Sequence, residues 1–196
     1  MHLSEHTPPP ALLHVGDRRW WSDPDAADAA VSDQLLAERI VVVAGELDDT
    51  AAHRLVSRLL LLDAIDARRD ITLHLTGAGG TTAAALAVRD VLGHVRADVA
   101  TWAVGIVSGA VQVLLTAGTP GKRYAQPQAR IQLRRPALGG SAGIHDELRA
   151  QLTALAAGDA GRPVADLSAD LDEGRWFTAA QAQAHGLVDH VGREVG

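Results

Sequence analysis

The stretch Gly105-Ile-Val-Ser-Gly-Ala-Val-Gln-Val-Leu-Leu-Thr-Ala-Gly118 holds the residues best placed for chemistry, and it follows the apolar run Val99–Val104. The pattern reads as a strand, a sharp turn and a buried helix. Such a turn sets one side chain at a helix N-terminus, where free N–H groups can hold an oxyanion. The hydroxyl on offer is Ser108. A serine nucleophile also needs a general base within hydrogen-bond reach and a group that orients the base. The nearest histidines along the chain are His74, His94, His145 and His185. The simpler reading of Ser108 is a small residue packed at the turn, and that is the expectation. A second glycine cluster, Gly77-Ala-Gly-Gly80, follows the expected strand Ile71–Leu75. There Gly79 and Gly80 let strand and helix backbones approach closely. No His, Asp or Glu cluster has metal-ligand spacing, and the chain has no cysteine. No metal, cofactor, disulfide or thiol nucleophile is expected.

These turns need strands and helices to hold them. Ile40–Val43 is a β-branched run and reads as a buried strand. Asp48-Asp-Thr50 can cap the helix that follows, in which Leu55, Leu59, Leu62 and Ile65 recur at helical spacing. Ile71–Leu75 is the next strand, and an Ala-rich helix runs from about Thr82 to Leu92. Val99–Val104 is the third strand, and the opening stretch supplies the third helix. Strands alternating with helices predict an α/β fold with a largely parallel, covered sheet. Further on, Arg123–Ala125 and Arg130–Leu133 read as short strands. Asp146–Ala157 reads as a helix with Leu148, Leu152 and Leu155 on one stripe, ended by Gly158 and Gly161. Arg162-Pro163 starts a short helix. Thr178–His185 is another with a Thr cap, and Leu187-Val188 begins the last strand. Residues 1–30 read as an irregular N-terminal segment and residues 31–196 as a single domain.

Composition narrows the function classes. The chain has 196 residues, is 47% hydrophobic and carries a formal net charge of −6. That is enough for one sizeable core and gives no basic stripe for nucleic acid. No uninterrupted apolar stretch is long enough to span a bilayer, and the N-terminus does not read as a secretory signal. A cytoplasmic protein with no membrane partner is expected.

Several motifs, in order and at nearly matching spacing, resemble those of ClpP, the proteolytic subunit of the Clp protease. The opening stretch is similar to that family's Gly-x-Ala-Ala-Ser-Met-Gly-Ala-x-Leu-Leu-x-Ala-Gly. Glu38-Arg-Ile-Val and Gly45-Glu-Leu-Asp-Asp49 resemble its Glu-Arg-Ile-Ile and Gly-Glu-Val-Asn-Asp. Gly77-Ala-Gly-Gly80 resembles its Ser-Pro-Gly-Gly loop. Ala117-Gly-Thr-Pro-Gly-Lys-Arg-Tyr-Ala-Gln-Pro-Gln-Ala-Arg-Ile131 and Gly186-Leu-Val-Asp189 follow two more of its segments. The resemblance covers about Asp33 to Val191. It implies a crotonase-like superhelix of βα units with a protruding strand-and-helix handle. It also implies subunits stacked as two seven-membered rings, with an unfoldase ATPase docking on the ring face.

The same resemblance places the family's catalytic triad on residues that cannot form one. Gly109 stands at the serine. Arg134, in Arg130-Ile-Gln-Leu-Arg-Arg-Pro136, stands at the histidine, and Gly174, in Glu173-Gly-Arg-Trp176, stands at the aspartate. A guanidinium stays protonated and cannot act as a base. The oxyanion-hole backbone, by resemblance near Gly80 and Ala110, needs no particular side chain. The family's ATPase pocket is lined partly by two tyrosines whose positions here are Thr72 and His74, which predicts an aromatic-poor pocket. Glu173 replaces an Arg that the family often uses across its two rings. The expected role is therefore a catalytically inactive structural or regulatory subunit in a mixed heptameric or double-heptameric ring with ClpP paralogues. Two rivals stand beside it. One is an active Clp-type serine endopeptidase with relocated residues, Ser108 serving as substitute nucleophile. The other is a crotonase-like acyl-CoA enzyme, for which no basic phosphate cluster is present.

Overall fold

The computed structural model describes residues 24–138 and 144–192. Seven helices and seven strands are assigned among them: α1 (Pro24–Ala37), β1 (Ile40–Leu47), α2 (Asp49–Ile65), β2 (Ile71–Gly80), α3 (Thr82–His94), β3 (Val99–Ser108), α4 (Ala110–Thr116), β4 (Arg123–Ala125), β5 (Arg130–Gln132), α5 (His145–Ala160), α6 (Val164–Glu173), β6 (Trp176–Thr178), α7 (Ala179–Ala184) and β7 (His190–Val191). The expected α/β, parallel-rich architecture is found. The sheet runs β1-β2-β3-β4-β7, with β5 and β6 branching from β3. Every pairing is parallel except β5 with β6.

Strand β3 is the hub. Its first half, Thr101–Ala103, pairs with β4, and its last three residues, Ile106–Ser108, pair with β5. A single long strand therefore feeds two neighbours, and the second of these carries the chain toward Arg134. Helix α4 leaves the end of β3 directly and buries all seven of its residues. A helix packed on every side needs no polar face, which is why the run Ala110–Thr116 shows no amphipathic stripe. Leu73, Leu75, Val107, Leu114 and Leu115 are fully buried around this junction.

Local signals explain most boundaries. Asp48 accepts the Ala51 N–H at 2.7 Å and caps α2. Thr178 and Gln181 form a reciprocal capping box at α7. Arg39, 4% exposed at φ +63°, donates to the carbonyls of Leu62, Arg69 and Asp70, tying the end of α2 to the start of β2. Asp189 accepts from Gly121 N–H and from the backbone and guanidinium of Arg123. Burial alone would raise its pKa; the Arg123 hydrogen bonds outweigh this and hold the carboxyl below its usual range. The motif around Asp189 is thus a structural anchor for β4.

Several expectations need correction. The segment expected to be irregular up to residue 30 is helical from Pro24, because a proline is tolerated in a first turn and the alanines after it favour helix. Residues 1–23, with Pro8–Pro10 and Trp20-Trp21, lie outside the described residues, as does the Gly139-Gly140 part of the expected handle. Gly158 does not end α5; the helix continues to Ala160 and closes on Gly161 in the left-handed conformation. Leu187 and Val188 are buried core residues, and the last strand is His190–Val191. Strand β6 has no signature of its own, because only its pairing with β5 makes three residues a strand.

Candidate functional site

The strand-turn-helix expected at the opening stretch is present, and its pivot is Gly109. Its backbone sits at φ +60°, ψ −130°, between the last residue of β3 and the first of α4. An L side chain is strained there by about 1–3 kcal/mol, and glycine is not. Space is not the obstacle. A Cβ at Gly109 would meet nothing nearer than 3.6 Å, the Cα of Gly79. The elbow therefore keeps a shape that suits a presented side chain, with no side chain on it.

Gly109 and Arg134 share one cleft of about 180 Å³, with Gly79, Gly80, Glu46 and Arg135 also on its wall. Arg134 is exposed, and no hydrogen bond or ion pair is seen for its side chain among the described residues. Gly80, at φ +125°, packs so closely that a Cβ would lie 2.6 Å from the Leu47 carbonyl oxygen and 2.7 Å from the Ala110 Cβ. Gly80 and Ala110, the two oxyanion-hole positions implied by resemblance, are thus brought side by side. Beyond Arg134 the chain turns back along the end of β2. Ala137 N–H donates to the Gly80 carbonyl, and the Ala137 carbonyl accepts from Thr82 N–H. This closes the far wall of the cleft.

Gly174 is not on that wall. It ends α6 in the left-handed conformation, φ +65° and ψ +41°, with its N–H on the Asp170 carbonyl. Asp170, a carboxylate on the same helix, is 5% exposed and engaged by Arg162 at 3.1 Å and Arg175 at 2.8 Å. Gly174 does connect to the elbow, through a residue that sequence reasoning missed. Gln132 on β5 accepts from Ser108 Oγ at 2.9 Å and donates from Nε2 to the Gly174 carbonyl at 2.9 Å. Ser108 is completely buried and spends its hydrogen on an amide oxygen, which is not a base at any working pH. The available signal was strand alternation: Gln132 lies between buried Ile131 and Leu133 and so faces the other way.

The histidines stand elsewhere. His185 Nδ1 lies 2.9 Å from the Gln181 carbonyl and its ring packs edge-on to Phe177. His145 is the first residue of α5, and His94 the last of α3. His74 begins a ladder of stacked rings across four adjacent parallel strands: His74–Trp102 at 6.1 Å, Trp102–Tyr124 at 4.3 Å and Tyr124–His190 at 5.0 Å. Each step joins residues in direct register. Of the two positions Thr72 and His74, His74 alone belongs to this ladder, and its ring lies against the buried Trp102. Burial holds the His74 pKa below its ordinary 6.5. Among the described residues no group of three or more His, Asp or Glu could hold a metal, and no helix is long and apolar enough to cross a membrane.

Comparison with known proteins finds sequence matches over most of the chain. The family model described as Clp protease matches residues 25–195. The ATP-dependent Clp protease proteolytic subunit 2 of Corynebacterium efficiens is 41% identical over 170 residues, covering 82% of this chain and 85% of that protein. The proteolytic subunit 1 of Mycobacterium bovis is 40% identical over 190 residues, covering 92% of this chain and 94% of that protein. A subunit 2 from Rhodococcus jostii is 38% identical over 171 residues, covering 83% and 88%. With a matching model over nearly the whole length and relatives at about two-fifths identity, this chain belongs to the Clp protease family.

Proposed function

We propose that this chain is a non-hydrolytic ClpP-type subunit, whose single domain, expected over residues 31–196, takes in the whole of α1 from Pro24. In this reading it serves a structural or regulatory role in a cytoplasmic mixed ring with active paralogues. The observation that carries the reading is the pair in the cleft. Gly109 occupies the elbow with no nucleophilic atom, and Arg134, at the base position, holds a guanidinium that cannot take a proton. Gly174 adds a third departure, since it closes a helix and carries no carboxylate. The relocated-triad reading has little to stand on, because Ser108 is buried and bonded to Gln132. Relatives bear the names proteolytic subunit 1 and proteolytic subunit 2, and a mixed ring requires subunits of more than one kind. A Clp unfoldase ATPase is a further candidate partner.

The test is direct. The purified chain is offered small fluorogenic peptides and a serine-directed fluorophosphonate. The expected result is hydrolysis no faster than buffer and no label. Stoichiometric label on Ser108, or on any other serine, overturns the proposal. Co-purification from the native cell with mass spectrometry then tests the mixed ring: a paralogue in a ring-sized species is expected, and a strictly monomeric chain counts against it.

A further inference from the structure

Two opposite charges on the cleft wall have no partner. Glu46 and Arg134 are both exposed, and neither side chain makes a hydrogen bond or ion pair among the described residues. The other charges on the wall are engaged. Arg135 holds Asp172 through Nε and Nη2 and also donates to Ser168 and Thr153. Asp48 accepts the Ala51 N–H as the cap of α2. The free charge in the cleft is thus one carboxylate and one guanidinium.

The sheet sets how far apart they stand. At their carboxyl ends the strands lie in the order β1, β2, β3, β5. Glu46 pairs with Gly79 near the end of β1, Gly109 follows β3, and Arg134 lies just past β5. Neighbouring strands are about 4.8 Å apart, so three steps separate the Cα atoms of Glu46 and Arg134 by roughly 14 Å. The Glu46 carboxyl leans inward over Gly79, its Oε1 lying 2.9 Å from where a Gly79 Cβ would be. About two strand spacings, roughly 10 Å, then remain for the Arg134 side chain and a ligand to share. Between the two charges the wall is Gly79, Gly80 and Gly109, with no side chains to fill it. Ligands of open α/β sheets bind in this position, outside the carboxyl ends of the strands. The cleft, at about 180 Å³, is smaller than a drug-sized site of about 300–1,000 Å³, so its occupant is small. A zwitterion of two or three residues matches both charges and the gap, since extended chain covers about 3.3–3.6 Å per residue.

We propose that the cleft is a non-covalent receptor for free peptides of two or three residues, their carboxylate on Arg134 and their ammonium on Glu46. A guanidinium offers a carboxylate two parallel N–H donors, which a histidine in its place could not. Hydrolysis of a peptide bond consumes one water and leaves one new carboxylate and one new ammonium. The class of reaction that supplies this ligand is therefore peptide hydrolysis. The proposal rests on the reading of this chain as non-hydrolytic, since the bound peptide must leave uncut.

Isothermal calorimetry of the full chain with trialanine, trialanine amide and N-acetyl-trialanine is the test. Trialanine should bind with a Kd of about 1 mM, and each capped form about tenfold more weakly. Arg134→Gln should bind trialanine and its amide equally, and Glu46→Gln should bind trialanine and its acetylated form equally. Both residues are exposed and unbonded, so both variants should fold as the parent chain does. The proposal is overturned by equal binding of the three forms, by no binding of trialanine up to about 10 mM, or by variants that keep both preferences. Mass spectrometry of the recovered peptide separates this proposal from the reading beneath it, and intact trialanine is expected. Cut trialanine overturns the non-hydrolytic subunit together with the receptor, whereas absent binding overturns the receptor alone.

Discussion

Ser108 and Gln132, 24 residues apart in sequence, share a 2.9 Å hydrogen bond that fastens the end of β3 to β5 just before the elbow. The same glutamine amide reaches on to the Gly174 carbonyl. The elbow and Gly174, which by resemblance stands where an orienting acid would be, are thus joined by a neutral amide bridge. Gln132→Met should leave a buried Ser108 hydroxyl unpaired and lower stability by about 1–3 kcal/mol. Ser108→Ala should cost about 1 kcal/mol, since half-buried Gln132 can turn to water. The double variant should lose less than the two losses combined. Urea unfolding of the four proteins measures this, and strict additivity would show that the bond contributes nothing.

The glycines of the cleft should respond unequally. Gly109→Ala meets open space and only the cost of its φ, so about 1–3 kcal/mol is expected. Gly80→Ala meets the Leu47 carbonyl and Ala110 Cβ below 3 Å as well as a positive φ, and neither neighbour can swing away. It should cost more than about 4 kcal/mol or fail to fold. Equal losses in urea unfolding would mean that the elbow, and not the contact of β2 with α4, limits the site.

Much of this was legible along the chain. A β-branched run marked β1, an apolar run marked β3, and leucines at helical spacing marked α2. Asp48 and Thr178 announced their caps. What depended on distant partners was not legible. Trp176–Thr178 becomes a strand only beside β5, and the Gln132 bridge spans 24 residues one way and 42 the other. The site divides the same way. Family spacing led to Gly109 and Arg134, which share one cleft, but nothing local told that Gly174 stands behind it on a helix cap. The ring ladder has no local signature because its four members lie on four strands.

That ladder makes stability depend on pH. Folded His74 holds its proton less tightly than an unfolded histidine near 6.5, because burial disfavours the charged ring. Below about pH 6.5 the unfolded chain therefore binds more protons, and stability falls as pH drops through that window toward the folded pKa. Above it the contribution is constant. His74→Phe keeps a ring against Trp102 and removes the titration. Denaturation from about pH 7.5 to about pH 5 should show a shallower fall for the variant, the gap opening only below about 6.5. Parallel curves would place the dependence on other histidines.

The final prediction concerns restoring hydrolysis, and here the geometry adds a fourth residue to three. Gly109→Ser alone sets a hydroxyl in a cleft with Arg134, which cannot accept its proton. Arg134→His alone supplies a base with nothing to activate. Triad members act as a unit, so no single change should give activity above buffer, and Gly109→Ser, Arg134→His and Gly174→Asp are needed together. The serine enters at φ +60°, a strain the packed elbow must bear. The aspartate also enters at positive φ, where Asp is among the better tolerated side chains, but its Cβ falls 3.3 Å from Gln132 Nε2. That amide must yield before the new carboxylate can turn toward the imidazole introduced by Arg134→His. The triple variant should therefore cleave fluorogenic peptides weakly, since a displacement of about 1 Å in such a site costs on the order of a hundredfold. Adding Gln132→Ala should raise kcat by about tenfold while leaving KM nearly unchanged, because the gain lies in orienting the base and not in holding the peptide. A fourth change with no effect on kcat would mean that Gly174 is not where the orienting acid belongs. Activity from Gly109→Ser alone, equal to that of the triple variant, would remove Arg134 from the base position.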